Sequence, residues 1–291
     1  MSEFAALLDA VRGIRWPARR VVRGGIPGAH TSRMWGSSAE LTEYRPYRQG
    51  DELRKIDWKL FARSDRAYIR LSNDRSVLPT MIALDASASM ACPVATNGKW
   101  RLAAQLGVGL SAVARNGGDP VGLVVVGRPE PQLLPPRMRR SVIHEIIRTI
   151  SGTTPGGNSP LSPAIPIAAQ SAGRLVVVSD FLGDAAEILT VASRLVAAGR
   201  EVYAIHVLAR EEIDPAGDAA TVTDPEAIEV RRALTGETRD AYLAAFGSWR
   251  EGIAHDFSDA GVIYSTVVTG DETPDHAIRR LTAPRGLSAI A

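Results

Sequence analysis

Five short apolar runs without polar alternation, separated by stretches of helical periodicity, constrain the fold of this chain more than any other feature. They fall at residues 80–84, 121–126, 175–179, 202–208 and 262–268. A strand with one wet face alternates apolar and polar side chains, whereas a strand apolar throughout is covered on both faces. Between the runs, Leu102, Leu106, Val108, Leu110 and Val113 keep a helical face over 99–115, and Val142, Ile143, Ile146, Ile147 and Ile150 do so over 139–150. Further helices are expected from near Ser162, over 185–198 with Gly199 at the end, over 238–257, and over 275–281 behind Thr273-Pro274. Asp224-Pro225-Glu226 reads as an N-cap with proline at the first helical position, opening a helix near Ile228. Buried strands alternating with helices predict a doubly wound, mostly parallel α/β sheet of Rossmann-like kind.

The first 78 residues read differently. They begin with a short helix, pass through a Gly- and Ser-rich stretch at 24–38, and include a strand-like segment at 67–71. The expected organisation is an extension over 1–78 packed on an α/β domain over 79–291. The net charge of +2 is unevenly placed: residues 1–78 carry 15 Lys and Arg against 9 Asp and Glu. Asp51, Glu52 and Asp57 lie among Arg48, Arg54, Lys55 and Lys59, so the excess suits internal ion pairing at least as well as an acidic partner. Nucleic acid is not the expected partner. The apolar runs fall far short of the roughly 20 residues that cross a bilayer, so no transmembrane segment is expected. The early arginines do not fit a secretory signal. One cysteine, Cys92, excludes an intramolecular disulfide and a Cys-based zinc site. These features point to a cytoplasmic protein.

Ligands of open parallel sheets bind where strands end and loops begin. The run at 80–84 leads into Asp85-Ala86-Ser87-Ala88-Ser89, which offers a carboxylate and two hydroxyls from one tight loop. The run at 175–179 ends in Asp180, on the same sheet edge by parallel geometry. Gly156-Gly157-Asn158-Ser159 precedes a helix and brings a further hydroxyl on a backbone that can approach closely. Carboxylates and hydroxyls are hard oxygen donors, the set Mg²⁺ or Mn²⁺ prefers. Asp85, Ser87, Ser89, Ser159 and Asp180 are therefore the candidate metal ligands, with a coordination position left for a partner's carboxylate.

The D-x-S-x-S loop with Ser159 and Asp180 resembles the metal-ion-dependent adhesion site of von Willebrand factor type A domains. The resemblance assigns the direct or water-mediated ligands to Asp85, Ser87 and Ser89, the place of a Thr to Ser159, with Thr153 or Thr154 as alternatives, and the second Asp to Asp180. The stretch from Tyr44-Arg45-Pro46-Tyr47-Arg48-Gln49-Gly50-Asp51 through Trp58 to Arg63, then Tyr68-Ile69-Arg70, resembles the signature of the bacterial family called domain of unknown function 58. That resemblance spans most of the chain and implies partnership with a MoxR-type AAA ATPase. In the signature, Tyr44, Tyr47, Ile56 and Trp58 are expected to pack against the α/β domain. Arg45, Arg48, Arg54 and Arg63 are expected to donate to Asp51, Asp57 and carbonyls, or else to dock acidic groups of a partner.

Enzyme chemistry finds little support. There is no G-x-x-x-x-G-K-[ST] and no G-x-S-x-G, and the five histidines are scattered without H-x-x-x-H spacing. His206, within a strand, reads as a core residue, and His30 as the one worth testing. The best enzymatic alternative is a metal-dependent phosphatase with Asp85 as nucleophile, but Ser87 stands where such enzymes carry a second Asp. Nucleic-acid binding through the basic N-terminal region is the remaining alternative. The expected function is a non-enzymatic, metal-dependent protein-interaction module.

Overall fold

The computed structural model describes residues 2–19, 27–36, 43–49, 51, 53, 56–215, 222–223, 231–232 and 236–284. The chain forms two compact units, Met1–Pro17 with Pro79–Ala291, and Ala18–Leu78. The first 17 residues thus group with the α/β unit, not with the remainder of the expected 1–78 extension. Leu7 and Val11, on and just after helix α1 (Ser2–Ala10), are buried in one half of the α/β core. Trp16 Nε1 donates to Tyr203 Oη at 3.0 Å, and Arg174 donates to the carbonyls of Trp16 and Pro17.

In the smaller unit, β1 (Pro27–Gly36), β2 (Glu43–Pro46) and β3 (Tyr68–Ser76) form an antiparallel sheet in the order β1-β3-β2. Ile56 and Ile69 are buried and bridge each other. Asp57 caps α2 (Trp58–Ser64), its carboxylate accepting from Lys59 N and Leu60 N. Trp58, expected to be packed away, is 58% exposed and edge-on to the exposed Phe61. The ring has no buried face to enter, because it opens a two-turn helix whose residues are all at least partly exposed.

The larger unit carries β4 (Thr80–Asp85), α3 (Gly98–Asn116), β5 (Val121–Val126), β6 (Gln132–Arg137), α4 (Val142–Ser151), α5 (Ala164–Ala169) and β7 (Arg174–Ser179). It continues through α6 (Ala185–Ala197), β8 (Glu201–Leu208), α7 (Arg210–Ile213), a small antiparallel pair of β9 (Val222–Thr223) and β10 (Arg231–Arg232), α8 (Gly236–Asp259), β11 (Ile263–Val268) and α9 (Pro274–Thr282). The sheet order is β11-β8-β7-β4-β5-β6, parallel except for β6. The helix expected near Ile228 lies outside the described residues.

Period-two side-chain alternation divides the buried strands between two cores. Ile82, Leu84, Val176, Val178, Ile205 and Val207 face Leu106, Leu110, Ile146 and Ile278. Met81, Ala83, Val124, Val177 and Ala204 face Ile165, Ile188 and Phe257. This double covering is what the unbroken apolar runs require. β6 is an exposed antiparallel edge strand containing Pro135-Pro136, a place where missing N–H donors are tolerated. Among the described residues, no helix is long and apolar enough to cross a membrane.

Candidate metal centre

The sheet order places its switch point beside β4: the chain runs from β4 to β5 on one side and later to β7 on the other. Loops leaving neighbouring strands in opposite directions open a crevice at the strands' carboxyl ends. Asp85 closes β4, and Asp180 directly follows β7.

The loop after β4 is held by backbone contacts. Ala86 N donates to Val126 O at 2.6 Å, Ala88 N to Gly157 O at 2.8 Å, and Gly156 N to Ala86 O at 2.8 Å. Three backbone segments meet so closely that a Cβ on Gly127 would lie 2.1 Å from Ala86 O, and one on Gly157 would lie 2.1 Å from Gly127 O. Gly157 also has φ +80°, a conformation that L side chains rarely adopt. The glycine pair inferred from sequence thus fastens the D-x-S-x-S loop to the loop carrying Ser159.

Within that frame Asp85 Oδ1 accepts from Ser87 N at 2.8 Å, and Asp85 Oδ2 accepts from Ser179 Oγ at 2.6 Å. Ser179 Oγ in turn accepts from Phe181 N at 2.9 Å. Ser87 Oγ and Ser89 Oγ stand 3.0 Å apart, both buried. Adjacent oxygens in an octahedral Mg²⁺ shell with bonds of about 2.1 Å are about 3 Å apart, so this hydroxyl pair fits one edge of such a shell. Burial pushes the Asp85 carboxyl up to about 6, and the charge of Asp180 pushes the same way. Two hydroxyls beside two mutually repelling carboxylates in a buried crevice form a donor set suited to a hard divalent cation. Among the described residues, no group of three His, Cys, Asp or Glu side chains offers a metal cage, so any such site depends on the hydroxyls.

Asp180 has a partner that the sequence reading missed. Lys99, in the first turn of α3, places its buried Nζ 2.7 Å from Asp180 Oδ2 and 2.5 Å from Glu212 Oε1. Burial pulls the Lys99 pKa down, but the two carboxylates outweigh it and the net shift is upward, so the side chain is an ammonium. A signal was available, since Lys99 lies three residues before Leu102 and seven before Leu106 on the buried helical face. Glu212 had no comparable signal. Asp180 Oδ1 accepts from Leu182 N at 3.2 Å, and Phe181 between them has φ +55°. A non-glycine residue held there carries strain of about 1 kcal/mol or more. The Phe181 ring is locked by His206 and Phe257, at centroid distances of 5.4 and 5.2 Å.

Ser159 is half-buried, and among the described residues its hydroxyl has no hydrogen-bond partner. Its loop is joined to the site through backbone alone. Thr153 donates to Thr149 O at the end of α4, and both Thr153 and Thr154 line a cleft of about 250 Å³ that reaches Ala86 and Gly127. Burial pushes the Cys92 thiol up to about 11, which leaves it an unreactive thiol at neutral pH. His206 is buried, pairs with Tyr264 Oη at 2.6 Å, and is driven down to about 4 by burial, as suits a neutral core imidazole. His30 lies in β1.

In the other unit, Arg45 grips Asp51 with two bonds of 2.7 Å, and Arg48 N adds a third at 2.9 Å. The Arg45 side-chain hydrogen bonds and the Arg48 N–H hold the Asp51 carboxyl down at about 2. Arg45, in β2, is therefore committed to Asp51 in the segment that follows, while Arg48 and Arg63 are exposed. Arg54 lies outside the described residues.

The chain is 26% identical over 295 residues to Uncharacterized protein Rv1480 of Mycobacterium tuberculosis and, equally, to Uncharacterized protein Mb1516 of Mycobacterium bovis, covering 98% of this chain and 92% of each relative. Similar solved structures include BatB from Bacteroides thetaiotaomicron, 19% identical over 69% of this chain and 95% of that one, with a TM-score of 0.45. They also include the SpRpn10 VWA domain, 15% identical over 74% of this chain and 100% of that one, with a TM-score of 0.42. The family model described as Protein of unknown function DUF58 matches residues 43–251, well over half of the sequence, and the chain belongs to that family.

Proposed function

We propose that this chain is a metal-dependent protein-interaction module, not an enzyme. Asp85, Ser87 and Ser89 hold Mg²⁺ or Mn²⁺, with Ser159 and Asp180 completing the protein side of the site. The observation that carries the reading is the buried pair of hydroxyls 3.0 Å apart beside two carboxylates at the sheet's switch point. Bound there, the ion supplies a Lewis-acidic position for a Glu or Asp carboxylate of the partner. Ser87 N and Ser179 Oγ each donate to one oxygen of Asp85, which orients that carboxylate as a ligand.

The partner is a MoxR-type AAA ATPase, an assignment that rests on family resemblance, and the expected compartment is the cytoplasm. α3 starts beside the site with Lys99 and shares its core with Ile278 of α9, which supports coupling of partner capture to the last helix. The test is binding of a purified MoxR-type ATPase to this protein and to Asp85→Ala, in Mg²⁺ and in chelator. The expected result is at least about a tenfold loss in the variant and in chelator. Equal binding by Asp85→Ala contradicts the mechanism. Mn²⁺-dependent hydrolysis of a phosphate monoester by the native chain contradicts the non-enzymatic reading.

A further inference from the structure

Lys99 does more than neutralise a buried acid. Its Nζ bonds Asp180 Oδ2 and Glu212 Oε1, so one ammonium joins the first turn of α3 to the end of β7 and to α7. The partners are themselves fixed: Asp180 Oδ1 takes Leu182 N, Glu212 Oε2 takes Ala209 N at 2.8 Å, and Glu212 O takes Tyr242 Oη at 2.9 Å. The cluster around the crevice then holds three carboxylates, those of Asp85, Asp180 and Glu212, against one ammonium.

We propose that Lys99 is the positioning residue that keeps the metal centre open, by holding Asp180 so that it completes the site through water instead of chelating the ion directly. This rests on the reading of Asp85, Ser87 and Ser89 as metal ligands. The Lys99 ammonium holds Asp180 Oδ2 toward α3 and α7, which would leave a coordination position of a bound ion to a partner's carboxylate. Charge repulsion from Lys99 also weakens the hold on the cation, which keeps the site exchangeable.

The test is titration of metal-stripped native protein, Lys99→Met and Glu212→Gln with Mn²⁺, with water-proton relaxation reporting the waters carried by the bound ion. The native chain is expected to bind one Mn²⁺ with strong relaxation enhancement. Lys99→Met is expected to bind at least about tenfold more tightly with reduced enhancement, because Asp180 replaces water. Glu212→Gln, which keeps Lys99 on Asp180 while removing one negative charge, is expected to bind several-fold more weakly with unchanged enhancement. If Lys99→Met does not fold, Glu212→Gln decides, and unchanged affinity there overturns the proposal. Native affinity and enhancement in Lys99→Met overturn the role of Lys99 and leave the metal reading standing. Absence of Mn²⁺ binding by all three proteins overturns both.

Discussion

Asp85 sits where burial and the Asp180 charge both disfavour its ionised form, so its carboxyl is raised from 3.8 to about 6. A carboxyl whose pKa is higher folded than unfolded binds more protons in the folded state between those values. The metal-free protein should therefore lose stability as pH rises from about 4 to about 6, by up to ~3 kcal/mol. Thermal melts in chelator across that range check the sign. Asp85→Asn should flatten the profile, raise metal-free stability near neutral pH by ~1–3 kcal/mol, and abolish the response to Mg²⁺. Mg²⁺ competes with the proton at this carboxylate, so affinity in the native protein should strengthen as pH rises through about 6. Ser179 supports the same carboxylate, donating to Asp85 Oδ2 and accepting from Phe181 N. Ser179→Ala should cost about 1–3 kcal/mol by denaturant unfolding and weaken Mg²⁺ binding about tenfold or more by calorimetry. Ser179 was visible in the sequence only as the polar end of an apolar run, and its role needed the strand pairing to emerge.

Among the elements, the loops fastened by glycine carry the sharpest expectation. A methyl group on Gly127 would meet Ala86 O at 2.1 Å, and one on Gly157 would meet Gly127 O at the same distance. Gly127→Ala or Gly157→Ala should each destabilise by about 2 kcal/mol or more and displace the D-x-S-x-S loop, read as a lower melting temperature together with weaker Mg²⁺ binding. Element identity was most legible where physics leaves least choice. β4, β5, β7 and β8 are apolar runs buried along their whole length, so their existence and parallel sense followed from covering on both faces, while β11, at the sheet edge, keeps the apolar run but is only partly buried. β6 was missed because an exposed edge strand lacks that pattern and contains Pro135-Pro136. The Gly- and Ser-rich segment that forms β1 gave no apolar periodicity to read. Asp85, Ser87 and Ser89 were legible as a motif and are joined by hydrogen bonds. Lys99 falls on the buried face of the apolar pattern of α3, but only the fold brings Asp180 and Glu212 to it.

At the scale of the molecule, stability and the candidate site lie at opposite ends of the strands. Arg174 opens β7 and is fully buried, bound to Glu201 Oε2 at 3.1 Å, with Asp119 at 3.8 Å and its guanidinium stacked over Trp16 at 4.1 Å. Ser179 ends the same strand, roughly 17 Å away at about 3.3 Å per residue. Arg174→Met should lower stability by about 3–5 kcal/mol, because it strands buried carboxylates, while leaving Mg²⁺ affinity of the folded protein within twofold or so. Loss of both together would mean that the two ends are coupled through the sheet. The same separation explains why residues 1–17, far in sequence from β7 and β8, group with the α/β unit: their backbone carbonyls and Trp16 complete the Arg174 cluster. The most direct test of the account is a calorimetric titration of metal-stripped protein with Mg²⁺, native beside Asp85→Ala. The account predicts one Mg²⁺ per native chain and no binding by the variant; equal binding by both, or none by the native chain, would contradict it.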